Sequence, residues 1–69
     1  MLDIRKRVGR NTKAIREAKG WSQEELADQA ELHRTYVSGV ERGIRNPTVT
    51  VLDRLAKALK VSIGTLTDI

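Results

Sequence analysis

The chain has 69 residues, of which 39% are hydrophobic and 32% are charged, and its net charge is +4. This length predicts one domain over residues 1–69, near the size at which an isolated core is only marginally stabilising. The lack of cysteine excludes disulfides and thiolate metal sites, and no apolar run approaches the roughly 20 residues of a membrane span. We therefore expect a cytoplasmic protein.

Charge is distributed unevenly along the chain. Residues 1–20 carry a net charge of +5, whereas residues 21–33 carry −4. Residues 34–46 return to +2, and residues 47–69 add +1. An acidic segment between basic ones predicts one basic face rather than a uniformly basic molecule. The alternative is a solvated charged surface.

Residues 3–19 have the pattern of a helix. Asp3 is a suitable N-cap, and Gly20 follows as the C-terminal stop. An apolar stripe with basic residues around it is formed by Ile4, Val8, Ile15 and Ala18, and Thr12 stands where its period calls for an apolar residue. We predict a core helix with a basic outer side. An amphipathic membrane helix is the less favoured alternative, because the stripe lacks bulk and aromatic residues.

Residues 22–43 predict two short helices joined by a tight turn. Ser22 and Glu25 have the spacing of a capping box, His33 stands at the N-cap of the second helix, and Gly43 is its stop. Because so short a turn forces the helices to cross steeply, the pair has the helix-turn-helix arrangement. The outer face of the second helix carries mostly hydrogen-bond donors, namely Arg34, Thr35, Tyr36, Ser38 and Arg42.

Four residues of this region allow two interpretations each. We expect Trp21 to pack as a hydrophobic staple rather than stack on bases. Glu31 occupies a turn that usually takes a left-handed glycine, so either the turn avoids that conformation or packing overrides a cost of about 1–2 kcal/mol. His33 is predicted to be a cap or a phosphate contact rather than a metal ligand, because no partner stands at ligand spacing. Gly39 suits either close helix packing or close approach to a surface that a side chain would block.

The remaining sequence predicts two further helices. A loop over residues 44–47 precedes a helix over 49–59 that Thr48 caps, and Ser62 caps a last short helix. These helices carry more apolar positions than one small core needs, so we expect a two-fold dimer that buries the surplus against a second copy. The predicted interface residues are Val49, Val51, Ile63, Leu66 and Ile69.

The strings SQEELA, VERG and NPT, with the spacing of Ala27, Leu32, Val37 and Val40, resemble the phage-repressor and Cro-type helix-turn-helix family. Within that family, LHRTYVSGVERGIRNPT is most similar to the controller proteins of bacterial restriction–modification systems, which are small homodimeric regulators. The resemblance covers essentially the whole chain.

The resemblance implies an all-α, compact five-helix DNA-binding domain, with residues 23–30 and 34–42 as the second and third helices and a dimer made by the last two. The side chains expected to face bases in the major groove are Arg34, Thr35, Tyr36 and Ser38. Contacts to the DNA backbone are expected at Ser22, Gln23, His33, Arg42, Arg45 and Asn46. We expect no cofactor and no metal site.

Three further points concern single positions. The wider family favours glycine at the position of Glu31, although the controller proteins often have an acidic residue there. Many members read a base from the position of Gly39, which has no side chain in this sequence. The resemblance also implies that Arg16 and Glu41 form a mostly buried ion pair, whereas the alternative is that both side chains point to water.

We therefore predict a sequence-specific DNA-binding transcriptional regulator that acts as a homodimer on a two-fold symmetric operator. It would repress by covering a promoter or activate by contacting RNA polymerase beside it. The alternative is an antitoxin-like protein-interaction module, which would need a partner-binding segment beyond the five helices. An enzyme is not expected, because the sequence has one histidine, no cysteine and no phosphate-binding glycine loop.

Overall fold

The structure is a computed structural model, and it describes residues 3–68. These residues form five α-helices and no strand, as the sequence predicts. The helices are α1 (Ile4–Ala18), α2 (Gln23–Ala30), α3 (Arg34–Glu41), α4 (Val49–Leu59) and α5 (Ile63–Thr67). Helix α4 has the predicted bounds, whereas α3 ends one residue earlier than expected. None of the helices within residues 3–68 has the length and apolar character needed to cross a membrane.

Every helix begins at a residue whose side chain accepts a hydrogen bond from a backbone N–H of the first turn. These N-caps are Asp3, Ser22, His33, Thr48 and Ser62, each at the predicted position. An N-cap of this kind contributes about 1 kcal/mol and fixes the residue at which its helix starts. The helix starts are therefore determined by local sequence.

The turn between α2 and α3 adopts the left-handed conformation, with Glu31 at φ 57° and ψ 43°. The turn is closed by a hydrogen bond from the Leu32 N–H to the Ala27 carbonyl at 2.8 Å, and the Leu32 side chain packs against the core. The end of α4 repeats this geometry, with Lys60 at φ 61° and a hydrogen bond from the Val61 N–H to the Ala56 carbonyl. Packing after each turn therefore overrides the preference for glycine.

The core is built from aliphatic side chains that all five helices contribute. Its fully buried members are Val8, Leu26, Ala27, Ala30, Val37, Val40, Leu55, Ala56, Leu59 and Leu66. The prediction for α1 was wrong at two positions, since Ala18 is exposed and Ile4 is 45% exposed. Thr12 and Arg16, both expected on the inward side of α1, are buried. Because Ala18 follows Arg16 by two residues, it lies roughly 200° further around the helix and faces water.

The predicted dimer interface is wrong at Leu66. Its side chain is 0% exposed and belongs to the core cluster, so it cannot also contact a second copy. Val51 and Ile63 are partly buried against the same core, whereas Val49 is 74% exposed. Ile69 lies outside the described residues. Of the predicted interface residues, Val49 therefore has the most surface left to bury.

Helix α1 approaches the end of α3 with no side chain between the two backbones. A Cβ added to Gly9 would clash with the carbonyl oxygen of Val40 and would lie 2.7 Å from that of Glu41. Gly9 is buried, and α1 therefore holds the C-terminal end of α3 directly.

Candidate nucleic-acid interface

The start of α3 and the start of α2 bring polar side chains together at the surface. Arg34, Thr35 and Ser38 line a shallow cavity of about 150 Å³ with Gln23. Arg34 and Thr35 are exposed, and Ser38 is partly buried. Three of the four predicted base-contacting residues therefore lie together. The fourth, Tyr36, is partly buried against the core on another side of α3.

His33 forms the N-terminal cap of α3. Its Nδ1 atom accepts a hydrogen bond from the Thr35 N–H at 3.1 Å, while the residue remains exposed. This contact agrees with the predicted cap, and it does not involve Nε2. Residues 3–68 contain no cluster of three or more histidine or acidic side chains that could hold a metal ion.

A buried network connects α1, the start of α2 and the end of α3. Glu41 accepts hydrogen bonds from Arg16 Nε at 2.7 Å and Arg16 Nη2 at 3.1 Å, and the two side chains are 2% and 9% exposed. Arg16 Nη1 also donates to the Trp21 carbonyl at 2.6 Å. These contacts are the ion pair that the sequence predicts. The hydrogen bonds from Arg16 to the Glu41 carboxylate raise the pKa of Arg16 above its already high value.

Gln23 has a structural contact that the sequence did not indicate. Its Nε2 atom donates to Glu41 Oε1 at 2.9 Å, which adds the start of α2 to the ion pair. One N–H of the amide is used in this way, and the second remains able to donate. No local pattern predicts this bond, because it joins residues that are distant in the sequence.

Arg45 lies over α3 and not out on the loop that contains it. Its guanidinium carbon is 5.4 Å from the centre of the Tyr36 ring. The backbone N–H groups of Ile44 and Arg45 both donate to the Gly39 carbonyl, at 3.1 and 3.2 Å. The two other predicted backbone-contacting residues of this region, Arg42 and Asn46, are exposed. Arg42 Nε is 3.4 Å from the Ser38 carbonyl.

Comparison with known proteins also identifies a helix-turn-helix protein. The family model described as Helix-turn-helix matches residues 13–66. Control protein C.SmaI from Serratia marcescens is 43% identical over 65 residues, which cover 94% of this chain and 77% of that protein.

Two solved structures are also similar. The hypothetical transcription factor NHTF from Neisseria has a TM-score of 0.92 and 44% identity, covering 96% of this chain and 76% of that one. The restriction–modification controller protein C.Esp1396I, solved as a tetramer with its natural 35 base-pair operator, has a TM-score of 0.83 and 42% identity. The match covers 90% of this chain and 82% of that one. The chain described here belongs to the helix-turn-helix family that includes phage repressors and the control proteins of restriction–modification systems.

Proposed function

We propose that residues 1–69 act as one DNA-binding domain, and that the protein is a sequence-specific transcriptional regulator. The observation that carries the proposal is that Arg34, Thr35 and Ser38 of α3 line one surface cavity with Gln23, the first residue of α2. A helix start presents free N–H groups and partial positive charge, which suits the phosphates of DNA. The operator complex of C.Esp1396I supports the same use of this fold.

Base recognition is assigned to the start of α3. The exposed Arg34 can donate a bidentate pair of hydrogen bonds to guanine, and the methyl group of Thr35 can meet the methyl group of thymine. Ser38 and Tyr36 complete the proposed base-contacting set. Each good contact to a base is worth about 1–3 kcal/mol of discrimination.

Backbone contacts are assigned to the residues around this face. Ser22 and Gln23 lie at the start of α2, and His33 lies at the start of α3. Arg42 and Asn46 follow at the other end of α3, where both are exposed. Contacts of this kind position the protein on the duplex without reading its sequence.

A homodimer on a two-fold symmetric operator is the proposed active form. The exposed Val49, with the partly buried Val51 and Ile63, would form the interface between two copies. The two α3 helices would then lie about 34 Å apart, which is one turn of DNA. We propose that this cytoplasmic dimer represses by covering a promoter or activates by contacting RNA polymerase, as a controller of a restriction–modification system.

A mobility-shift titration tests the proposal. The wild-type protein should bind the DNA upstream of its own gene in preference to random DNA of equal length. Arg34→Ala should lose about 1–3 kcal/mol per half-site and flatten that preference. Arg10→Ala is the matched control, because it removes the same charge from an exposed position on α1. Equal binding of both DNAs by the wild-type protein would refute the proposal.

A further inference from the structure

We propose that Gly39 is a positioning residue for DNA recognition. Because it lacks a side chain, Gly39 leaves a place on α3 where Arg45 lies against Tyr36. We infer that these residues, the Tyr36–Gly39–Arg45 unit, act together in determining sequence preference. The inference rests on the proposed DNA-binding function, and it adds a role for a position that has no contact group of its own.

The Arg45 side chain occupies the space that a side chain at position 39 would need. A Cβ added to Gly39 would lie 2.5 Å from Arg45 Cγ, 3.3 Å from Nε and 3.4 Å from Cδ. Gly39 is consequently buried, although other residues of α3, such as Thr35, are exposed. Two hydrogen bonds from the following loop to the Gly39 carbonyl bring Arg45 back to this point.

Tyr36 provides the second contact for the same side chain. Tyr36 and Gly39 are three residues apart, so they are neighbours on one side of α3. The Arg45 guanidinium lies 5.4 Å from the centre of the Tyr36 ring, within the range of a cation–π contact. A guanidinium has five N–H donors, so a contact with one ring leaves Arg45 able to donate to DNA.

This arrangement changes the role expected for Arg45. An arginine extended from a mobile loop would act mainly as a charge beside a phosphate, and it would lose rotamer freedom on binding. An arginine already held beside the proposed base-contacting helix loses less freedom and presents its donors in a defined direction. We therefore assign Arg45 to base discrimination, in place of the backbone contact expected from the sequence.

Gly9 shows why Gly39 is not simply a packing glycine. A side chain at Gly9 would meet carbonyl oxygens of α3, which cannot move without moving the helix. A side chain at Gly39 would meet Cγ, Cδ and Nε of Arg45, which can move by rotation about the side-chain bonds of this exposed residue. Alanine at position 39 should therefore be tolerated by the fold, and it should displace Arg45.

The test is a double-mutant cycle with Gly39→Ala, Arg45→Ala and the double variant. Each protein is titrated with the operator and with random DNA of equal length at one salt concentration, and its melting temperature is measured. Gly39→Ala should melt no lower than the wild type, because alanine favours the helix. Both single variants should lose about tenfold in operator affinity, with random-DNA affinity changed less than about twofold. The double variant should bind the operator no more weakly than Arg45→Ala alone.

Tyr36 is tested in the same cycle. In a Tyr36→Phe background, which keeps the ring, Arg45→Ala should still cost about tenfold. In a Tyr36→Leu background, Arg45→Ala should cause little or no further loss of operator affinity.

Three results would overturn the inference while leaving the proposed function in place. They are a lower melting temperature for Gly39→Ala, independent effects of the two single substitutions, and an equal loss of operator and random-DNA binding in Arg45→Ala. If the wild-type protein showed no preference for its operator, the proposed function and this inference would both fail.

Discussion

Glu41 offers the sharpest test of how α3 is held in place. Its two carboxylate oxygens accept three hydrogen bonds, two from Arg16 and one from Gln23. Glu41→Gln keeps the shape of the side chain but leaves one acceptor oxygen in place of two. Whichever way the new amide turns, its NH₂ group faces a donor, and the buried Arg16 loses its counter-charge.

The expected loss is large for a domain of this size. Removing one partner of a buried ion pair costs about 3–5 kcal/mol. Small domains have a total stability on the order of 0.05–0.15 kcal/mol per residue, so this loss would unfold much of the population. The melting temperature should fall by more than about 12 °C. Operator binding should fall with the folded fraction, although neither Arg16 nor Glu41 needs to touch DNA.

Thermal unfolding followed by circular dichroism measures the effect. Glu17→Gln is the matched control, because Glu17 lies 3.9 Å from Arg16 but its side chain is 57% exposed. It should change stability by less than about 1 kcal/mol. A Glu41→Gln protein that melts with the wild type would refute the reasoning.

Raising the pH is not a substitute for Glu41→Gln as a way to break the Arg16–Glu41 ion pair. Because the contact with Glu41 raises the pKa of Arg16, its stabilising effect is complete below the unfolded-state pKa of Arg16. It is lost only as pH rises through the still higher folded-state pKa.

Three further predictions concern single side chains. Gly9→Ala should lower the free energy of unfolding by about 1–3 kcal/mol in a urea titration. Gly64→Ala is the control and should not destabilise the protein, because its Cβ would meet nothing closer than 3.7 Å. Equal stability of the two variants would contradict the close approach of α1 and α3. His33→Ala should cost about 1 kcal/mol through loss of the α3 cap, and His33→Asn should restore most of it; an uncapped variant as stable as the wild type would argue against the cap. Val49→Lys should shift a dimer toward monomer in sedimentation at tens of micromolar, and an unchanged dimer would place the interface elsewhere.

The helices could be predicted because their signals are local. A cap such as Ser22 or Thr48 and an apolar period of 3.6 residues are both visible within a few positions of the sequence. The conformation of Glu31 was not decidable in this way, because it depends on the packing of Leu32 against the rest of the core. Local sequence shows that a turn occurs there, and tertiary contacts decide its geometry.

The grouping of the candidate site residues was predictable to the same extent. Arg34, Thr35 and Ser38 share one face of α3, and helical periodicity is enough to group them. The bond from Gln23 to Glu41 and the position of Arg45 over Gly39 depend on how separate segments pack. Leu66 was misassigned because an apolar residue on a short helix has the same pattern whether it faces its own core or a partner.

The length of α3 links the proposed DNA readout closely to the packing that holds this helix in place. The helix has eight residues, and isolated helices shorter than roughly 12–15 residues are marginal in water. Its conformation therefore depends on contacts at both ends, with His33 at the start and Gly9 and Glu41 at the end. A substitution at either end should lower DNA affinity by loosening the helix, as the loss of a proposed base contact also should. Affinity alone cannot separate these causes, whereas the ratio of operator to random-DNA binding changes selectively when a base-contacting residue is removed from a folded protein.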